Sequence, residues 1–458
     1  MNSLAKLAAV NRSKVLANLA GATGTLYLRG GALTERKWTD TEERFRQESF
    51  FYYMTGVKEP EFHFTLDLSS KRTCLYIPRY SDDHALWMGP PPTAPQVQAK
   101  YAVDSVLTTD KLPEVLAGAG LIHVMEAAEL PANVASAAAA RGTVVTDEFL
   151  RTAITEARVI KSEGELELMR KAARISGEAH IALMKAVRPG QGSEREMQAL
   201  FEYTCFRLGA PIQAYNPIIA DGRSGSVLHY GKNDDKLSSD PHQMLLVDAA
   251  CEYELYAADI TRTFPLGGKF AGDFKTTYEI VLEAQEVVLS QLKAGVEWED
   301  MHRLAARKIL RGLMRAGLVV GTEEELAKHH IGELFFPHGL GHLIGIDVHD
   351  AGGYPAGVQR IQEPGIRYLR MRRTLQPGMV VTVEPGVYFV DAILDPAIAD
   401  PAVNKFLNVE LVQRFRKHVG GVRIEDDVVI LENGIENLTG WVPKSVADIE
   451  AVMAASSA

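Results

Sequence analysis

The chain has 458 residues, of which 46% are hydrophobic and 24% are charged. This balance excludes a disordered, collagenous or coiled-coil protein, and the length predicts more than one globular domain. The 49 basic and 59 acidic side chains leave a net charge of −10. We therefore expect no nucleic-acid partner, because a polyanion is normally held by an excess of Lys and Arg.

Cysteine is rare, and Cys74, Cys205 and Cys251 are too few to stabilise a chain of this length by disulfide bonds. They predict no disulfide and favour a reducing, cytoplasmic location. No run approaches the roughly 20 apolar residues of a membrane helix, so we expect no membrane association. Residues 1–34 contain basic but no acidic side chains, which is typical of a mitochondrial presequence. The same composition also fits a first helix at Asn11–Ala20, and both interpretations stay open.

The first third of the chain alternates short apolar runs, such as Phe62–Leu68, with turn signals. This alternation predicts strands and connecting helices. A capping box at Ser162 and Glu165 then predicts the start of a new helix. We place a domain boundary just before it, with one domain at residues 1–157 and a second at residues 158–458.

The second domain combines amphipathic helices with separate β-prone runs. Apolar residues recur at helical spacing after Tyr278 and again after Met301. Val-rich runs at Met244–Val247 and Val422–Ile430 are typical of strands. Helices that are segregated from hairpins predict an α+β fold with a mainly antiparallel sheet.

A pair of aspartates in one predicted hairpin gives the first chemical signal. Asp248 ends an apolar run, and Asp259 lies in the following β-prone run. A turn centred between Tyr253 and Glu254 would place the two carboxylates directly opposite each other, with Cβ atoms about 5 Å apart. Such carboxylates repel each other unless a proton or cation lies between them. Surface positions are the alternative, and the lack of an Asn-Gly or Asp-Gly turn leaves the register open.

Histidines and two further carboxylates give the next signals. His338, His342 and His349 lie within twelve residues of a glycine-rich apolar segment. Imidazoles bind metals or move protons near neutral pH, and core hydrogen bonds would explain one of these histidines better than all three. Glu384 and Glu425 lie within or at the end of apolar strands, where an unpaired charge is costly. Each glutamate alone could equally belong to an edge or a turn.

Taken together, these segments supply one set of candidate metal ligands: Asp248, Asp259, His342, Glu384 and Glu425. Four carboxylates balance the charge of two divalent ions. The oxygen-rich set without thiolates favours Mn(II), with Co(II), Fe(II) and Zn(II) as alternatives. Two such ions would lower the pKa of a shared water and present hydroxide to an electrophile. The HExxH and GxSxG motifs of other hydrolases are absent.

The order of these residues, with the phrases PHGLGHLIGIDVHD, TVEPGVYF and GVRIEDD, resembles the pita-bread metallopeptidases of the aminopeptidase P and prolidase type. The likeness includes FRQESFF and SVLHYG and covers nearly the whole chain. It implies a creatinase-like N-terminal domain, a pita-bread catalytic domain with a curved sheet, and a homodimer. It also implies hydrolysis of the Xaa-Pro bond in dipeptides. Cleavage of longer Xaa-Pro peptides is the alternative, and a non-catalytic peptide-binding module is a more remote one.

The resemblance also implies a role for each site residue. Asp248 would chelate one metal, Asp259 and Glu425 would bridge both, and His342 and Glu384 would complete the other. The expected catalytic residues are His349 and His338, and the expected substrate-binding residues are His229, Arg370, Arg423 and Tyr215.

Two arginines receive specific roles from the same resemblance. Arg423 is expected to orient Glu425 and the substrate, and Arg370 to clamp the carboxylate of proline. The other arginines near Arg370 are expected to be solvated: Arg367, Arg372 and Arg373.

Overall fold

A computed structural model describes residues 3–455 and divides into two compact units. One unit extends to Arg158, and the other begins at Val159. Within residues 3–455, none of the helices combines the length and the apolar composition that crossing a bilayer requires.

The first unit is built on a six-stranded mixed sheet in the order β4-β3-β2-β1-β5-β6. Its strands are β1 (Thr25–Arg29), β2 (His63–Asp67), β3 (Thr73–Ile77), β4 (Ser105–Thr108), β5 (Leu121–His123) and β6 (Val144–Thr146). Its helices are α1 (Ser3–Asn18), α2 (Ser49–Thr55), α3 (His84–Trp87), α4 (Ala94–Tyr101), α5 (Leu112–Ala117), α6 (Ala132–Ala140) and, at the boundary, α7 (Leu150–Val159). The helix expected near the N-terminus is present as α1.

The strands of the second unit form small sheets in which every pairing is antiparallel. They are β7 (Ile212–Gln213), β8 (Ile218–Asp221), β9 (Met244–Asp248), β10 (Cys251–Tyr253), β11 (Tyr256–Ala257), β12 (Thr261–Pro265), β13 (Val380–Val383), β14 (Gly386–Tyr388), β15 (Gly421–Arg423), β16 (Asp426–Leu431) and β17 (Gly434–Asn437). The sheet orders are β12-β9-β8, β11-β10-β7, β13-β16-β17 and β14-β15. The expected α+β fold with mainly antiparallel pairing is confirmed.

Helices of the second unit pack with these sheets around one large hydrophobic core. They are α8 (Glu163–Ala186), α9 (Glu194–Arg207), α10 (Gly272–Leu289), α11 (Trp298–Arg315), α12 (Glu323–Lys328), α13 (Asp391–Ala399), α14 (Pro401–Asn404), α15 (Val409–His418) and α16 (Val446–Ala454). The expected capping box begins α8. Helices α10 and α11 approach closely at Gly312, where an added Cβ would lie 2.6 Å from Ile280. The absence of a side chain there allows the close packing.

The hairpin that carries the two aspartates has a different register from the predicted one. Asp248 lies opposite Thr261, so the predicted pairing with Asp259 was wrong. The turn is centred on Glu254 and Leu255, whose φ angles of 50° and 62° are typical of a type I′ turn. Because the turn lies one residue later than predicted, the partner shifts by two residues. A shift of two preserves the alternation of faces, so Asp259 remains a diagonal neighbour of Asp248.

Candidate metal centre

One cavity of about 880 Å³ in the second unit brings together all the predicted site residues. Its lining includes Tyr215, His229, Asp248, Asp259, His338, His342, His349, Arg370, Glu384, Arg423 and Glu425. The carboxylates reach it from strand ends, since Asp248 ends β9, Glu384 follows β13 and Glu425 lies between β15 and β16. Residues that are far apart in the sequence therefore share one site.

Three predicted ligands form the centre of this site. Asp259, His342 and Glu425 are buried, and each has a potential ligand atom within 4.8 Å of the others. His342 Nε2 lies 3.4 Å from Asp259 Oδ2 and 3.7 Å from Glu384 Oε1. The other ring nitrogen, Nδ1, lies 3.0 Å from the Leu343 carbonyl oxygen. In the neutral tautomer that donates from Nδ1 to this carbonyl, the Nε2 lone pair faces the carboxylates, which is the usual arrangement of a metal-binding histidine.

The backbone around Gly341 explains why His342 meets Glu384. The Thr382 N–H donates to the His342 carbonyl at 2.9 Å, and the Glu384 N–H donates to the Leu340 carbonyl at 2.8 Å. At Gly341, an added Cβ would lie only 2.0 Å from the Thr382 carbonyl oxygen. Only glycine allows the two backbones to run this close together.

The charges of the cluster are not balanced by the protein alone. Burial raises the pKa of Asp259, Glu384 and Glu425, that of Glu384 to about 7, and the charges of Asp259 and Glu384 raise the pKa of Glu425 further. Within residues 3–455, the buried Asp248 Oδ1 and Glu425 Oε1 atoms have no hydrogen-bond partner. Buried carboxylates with free oxygens need a cation. The donor set therefore fits divalent metal ions.

Arg423 is buried and uses its three nitrogens within the site. It donates to Asp248 Oδ2 at 2.5 Å, to the Thr261 hydroxyl at 3.1 Å and to the Tyr388 hydroxyl at 2.9 Å. The Thr261 hydroxyl in turn donates to Glu425 Oε2 at 2.7 Å. Arg423 therefore reaches Glu425 through the Thr261 hydroxyl, and the expectation that it orients Glu425 stays a prediction. The predicted contact of Arg423 with substrate stays a prediction.

Tyr388 is a site residue that the sequence analysis missed. Its hydroxyl lies 2.9 Å from His338 Nε2, while His338 Nδ1 lies 2.8 Å from the Gly339 carbonyl oxygen. Burial and the charge of Arg423 lower the pKa of His338 to about 3, so this ring is neutral at neutral pH. The catalytic role of His338 stays a prediction. Tyr388 follows Glu384 by four residues, and an even spacing places two side chains on the same face of an extended segment. This spacing was the signal that could have indicated Tyr388.

A buried ion pair lies directly behind Glu425, and the sequence analysis missed it as well. Arg262 has no exposed side-chain surface, and its Nη2 lies 2.7 Å from Asp426 Oδ1. Arg262 Nη1 also donates to the Glu425 carbonyl oxygen at 2.6 Å. Lys444 is a second partner of Asp426, at 2.5 Å. These contacts fix the backbone that carries Glu425.

Asp427 supports the neighbouring ligand in a similar way. Its Oδ2 accepts a hydrogen bond from the Asp259 backbone N–H at 3.0 Å. Burial raises the pKa of Asp427, and the charge of Asp259 raises it further. Asp427 therefore holds the backbone of a predicted ligand.

Three further predicted residues, His349, His229 and Tyr215, line the same cavity as the candidate ligands. The His349 ring stands at 82° to the His342 ring, with centroids 4.4 Å apart. Burial, together with the charges of His342 and Arg370, lowers the pKa of His349 to about 3. His229 has a lowered pKa for the same reasons, burial first and Arg370 next. Tyr215 also lines the cavity, and burial and the charge of Asp248 raise the pKa of its hydroxyl.

The arginines near Arg370 differ from one another in their contacts. Arg367 is exposed, as expected. Arg372 and Arg373 are partly exposed and also have protein partners, so the expectation that they are solvated holds only in part. Arg372 pairs with Glu299, and Arg373 donates to the Gly352 carbonyl oxygen. Arg372 also donates to the Gln359 carbonyl oxygen, so both arginines bind carbonyl groups of their own loop.

Comparison with known proteins assigns the chain to a family. The model of metallopeptidase family M24 matches residues 167–432, and that of the aminopeptidase P N-terminal domain matches residues 8–121. The chain is 44% identical to the Xaa-Pro dipeptidase of Homo sapiens over 98% of this chain and 93% of the human protein. The chain belongs to metallopeptidase family M24.

A further curated relative and a solved structure show the same likeness. The probable Xaa-Pro aminopeptidase pepP of Neosartorya fischeri is 40% identical over 94% of this chain and 92% of its own length. The solved structure of the aminopeptidase PepP of Pseudomonas aeruginosa is 32% identical, covers 99% of this chain and 98% of its own, and has a TM-score of 0.83. The expected family and its two-domain fold are confirmed, and the chain is a peptidase.

Proposed function

We propose that this chain is a metal-dependent Xaa-Pro dipeptidase, with residues 158–458 as its catalytic domain. The observation that carries this choice is Arg370, which lines the cavity near His349 and His229. In the described part of the chain, the Arg370 guanidinium has no hydrogen-bond or ion-pair partner. The Arg370 guanidinium can bind a carboxylate of the substrate, and the carboxylate cluster can accommodate an amine. The site therefore suits a substrate that has both groups.

The substrate chemistry supports this assignment. An Xaa-Pro bond is a tertiary amide without an N–H, so a general peptidase that binds this donor loses a contact. In a dipeptide, the proline carboxylate lies one residue past the scissile bond. Arg370 can bind it through a charge-assisted hydrogen bond, while a longer peptide would place an uncharged amide there. The names of the dipeptidase relatives agree with this choice.

We propose two divalent ions per chain, with Mn(II) as the native metal. The residues that would hold them are Asp248, Asp259, His342, Glu384 and Glu425. When bound, such ions lower the pKa of water and polarise a carbonyl group. The free oxygens of Asp248 and Glu425 and the orientation of His342 support this proposal.

His349 is expected to act on the substrate carbonyl. Its neutral ring can donate an N–H to the oxygen as negative charge develops there. His349→Ala should lower kcat roughly 100-fold while the metal content stays unchanged. Steady-state kinetics and elemental analysis measure the two quantities, with His418→Ala on α15 as a control outside the cavity. Loss of one metal from His349→Ala would show instead that His349 is a ligand.

Arg370→Ala tests the dipeptidase assignment. A charge-assisted contact of about 1.5–3 kcal/mol corresponds to a loss of about 10- to 150-fold in kcat/KM for Gly-Pro. Gly-prolinamide, which lacks the carboxylate, should be cleaved as well as by the wild type. The exposed neighbour provides the control variant, Arg367→Ala.

Two outcomes would contradict this assignment. If Arg370→Ala lowered kcat/KM equally for Gly-Pro and Gly-prolinamide, Arg370 would not be a carboxylate clamp. If the wild type cleaved Gly-Pro-Ala faster than Gly-Pro, the assignment would move to an aminopeptidase, the alternative that the aminopeptidase relatives favour.

We also propose a homodimer and a cytoplasmic location. The homodimer rests on the family resemblance, and sedimentation of the purified protein tests it. The location is supported by three free cysteines, of which Cys205 and Cys251 are buried and Cys74 is partly buried. Cell fractionation tests it.

A further inference from the structure

The loop at residues 350–374, which we call the Arg370 loop, is held at one carbonyl group by two side chains. The Tyr354 hydroxyl donates to the Leu369 carbonyl oxygen at 2.6 Å. Arg360 Nη1 donates to the same oxygen, and the Arg360 guanidinium lies over the Tyr354 ring, 4.8 Å from its centroid. Leu369 directly precedes Arg370, so these contacts fix the backbone next to the proposed clamp.

Close backbone contacts fix the same point from the other sides. An added Cβ at Gly353 would lie 2.2 Å from the Arg370 carbonyl oxygen, and one at Gly339 would lie 2.8 Å from the Leu369 Cα. The Leu369 side chain itself is only 2% exposed. The backbone at residues 369 and 370 therefore has little room to move.

Arg360 and Arg370 both line the cavity, but their contacts differ. Arg360 is engaged by the Leu369 carbonyl and by the Arg367 carbonyl at 3.3 Å. Arg370 has no such partner among residues 3–455. The arginine side chain is long and flexible, so a fixed backbone lowers the entropy that Arg370 loses when it binds a carboxylate.

We propose that Arg360 and Tyr354 are positioning residues for Arg370. They hold the Leu369 carbonyl and thereby set where the Arg370 guanidinium lies. Through this contact they determine the preference for a free carboxylate directly after the Xaa-Pro bond. The inference rests on the proposed function of Arg370 as the carboxylate clamp.

The test compares Gly-Pro with Gly-prolinamide. Arg360→Ala should raise KM for Gly-Pro roughly fivefold or more with little change in kcat, because a charged donor to the Leu369 carbonyl is lost. Kinetics on the amide should not change. Tyr354→Phe, which keeps the ring and removes the hydroxyl, should give a smaller shift of the same kind, and Arg360→Lys should recover part of the wild-type KM. Arg311→Ala on α11 is the control, because this exposed arginine pairs only with Glu323 in the contacts described.

A double variant separates positioning from a general structural effect. The quantity to compare is the ratio of kcat/KM for Gly-Pro to kcat/KM for Gly-prolinamide. If Arg360 acts through Arg370, adding Arg360→Ala to Arg370→Ala should not change this ratio any further. If Arg360→Ala itself fails to fold, the same ratio for Arg360→Lys and Tyr354→Phe decides.

The outcomes distinguish this inference from the proposed function. In the first outcome, Arg370→Ala lowers kcat/KM for Gly-Pro but not for Gly-prolinamide, while the Arg360 and Tyr354 variants affect both substrates equally or not at all. The positioning role is then wrong, and the role of Arg370 as the clamp stands. If Arg370→Ala does not separate the two substrates, the clamp is wrong, and the positioning role falls with it.

Discussion

Glu425→Gln is expected to lower kcat for Gly-Pro at least about 1000-fold, because metal ions supply several kcal/mol of charge stabilisation and each 1.36 kcal/mol is a factor of ten. Glu425 belongs to the buried group with Asp259 and His342, and its Oε1 has no partner within residues 3–455. The amide keeps the shape of the side chain but removes its charge. Exhaustive chelation of the wild type should abolish activity, and adding Mn(II) back should restore it.

Metal content and thermal stability of the Glu425→Gln variant are measured together to test this prediction. Elemental analysis should give about two ions per chain for the wild type and fewer for Glu425→Gln. Without metal, the variant should unfold at no lower temperature than the wild type, because it relieves repulsion among buried carboxylates. Glu436→Gln, which changes a partly exposed carboxylate in β17, is the control. Full activity of the chelated wild type would contradict the proposed metal centre.

Arg262→Met is expected to have the largest effect on stability. Removing one partner of a buried ion pair typically costs about 3–5 kcal/mol, because the other charge stays buried. Asp426 has no exposed side-chain surface, and Arg262 with Lys444 holds its pKa below the usual value. Since Lys444 remains in the variant, we expect the lower end of this range. Chemical denaturation of metal-loaded protein measures the free energy of unfolding.

Arg170→Met provides a matched control for this variant. Arg170 also makes a double contact with a carboxylate, at 2.7 and 2.8 Å from Glu436, but this pair is partly exposed. Pairs in contact with solvent contribute about 1 kcal/mol or less. Equal losses for the two variants would show that burial does not govern the strength of the Arg262 pair.

The sequence was sufficient for the fold class and for the five candidate metal ligands that the structure brings together in one cavity. Apolar periodicity indicates helices and strands directly, and charged residues at the ends of apolar strands indicate that partners exist. The register of the hairpin was not predictable in the same way. Its type I′ turn has Glu254 and Leu255 at positive φ, where Asn and Gly are the usual residues.

Contacts to backbone carbonyls were also invisible in the sequence. Arg360 and Tyr354 bind the Leu369 carbonyl, and every residue offers such a group, so no pattern of side chains indicates which one is used. The pair between Arg262 and Asp426 joins positions 164 residues apart. A charged arginine within a buried strand needs a partner, but only the fold identifies which residue that is.

The Arg370 loop lies between the second and third of the segments that carry the predicted ligands, and none of the five ligands belongs to it. Much of what holds the loop comes from its own residues: Tyr354, Arg360, Arg372 and Arg373 all donate to loop carbonyls. Mutations confined to the loop can therefore accumulate without altering the carboxylates on the strands. If Arg370 is the carboxylate clamp, preference for peptide length and the capacity for hydrolysis are encoded by separate stretches of the gene, so that one can diverge while the other is retained.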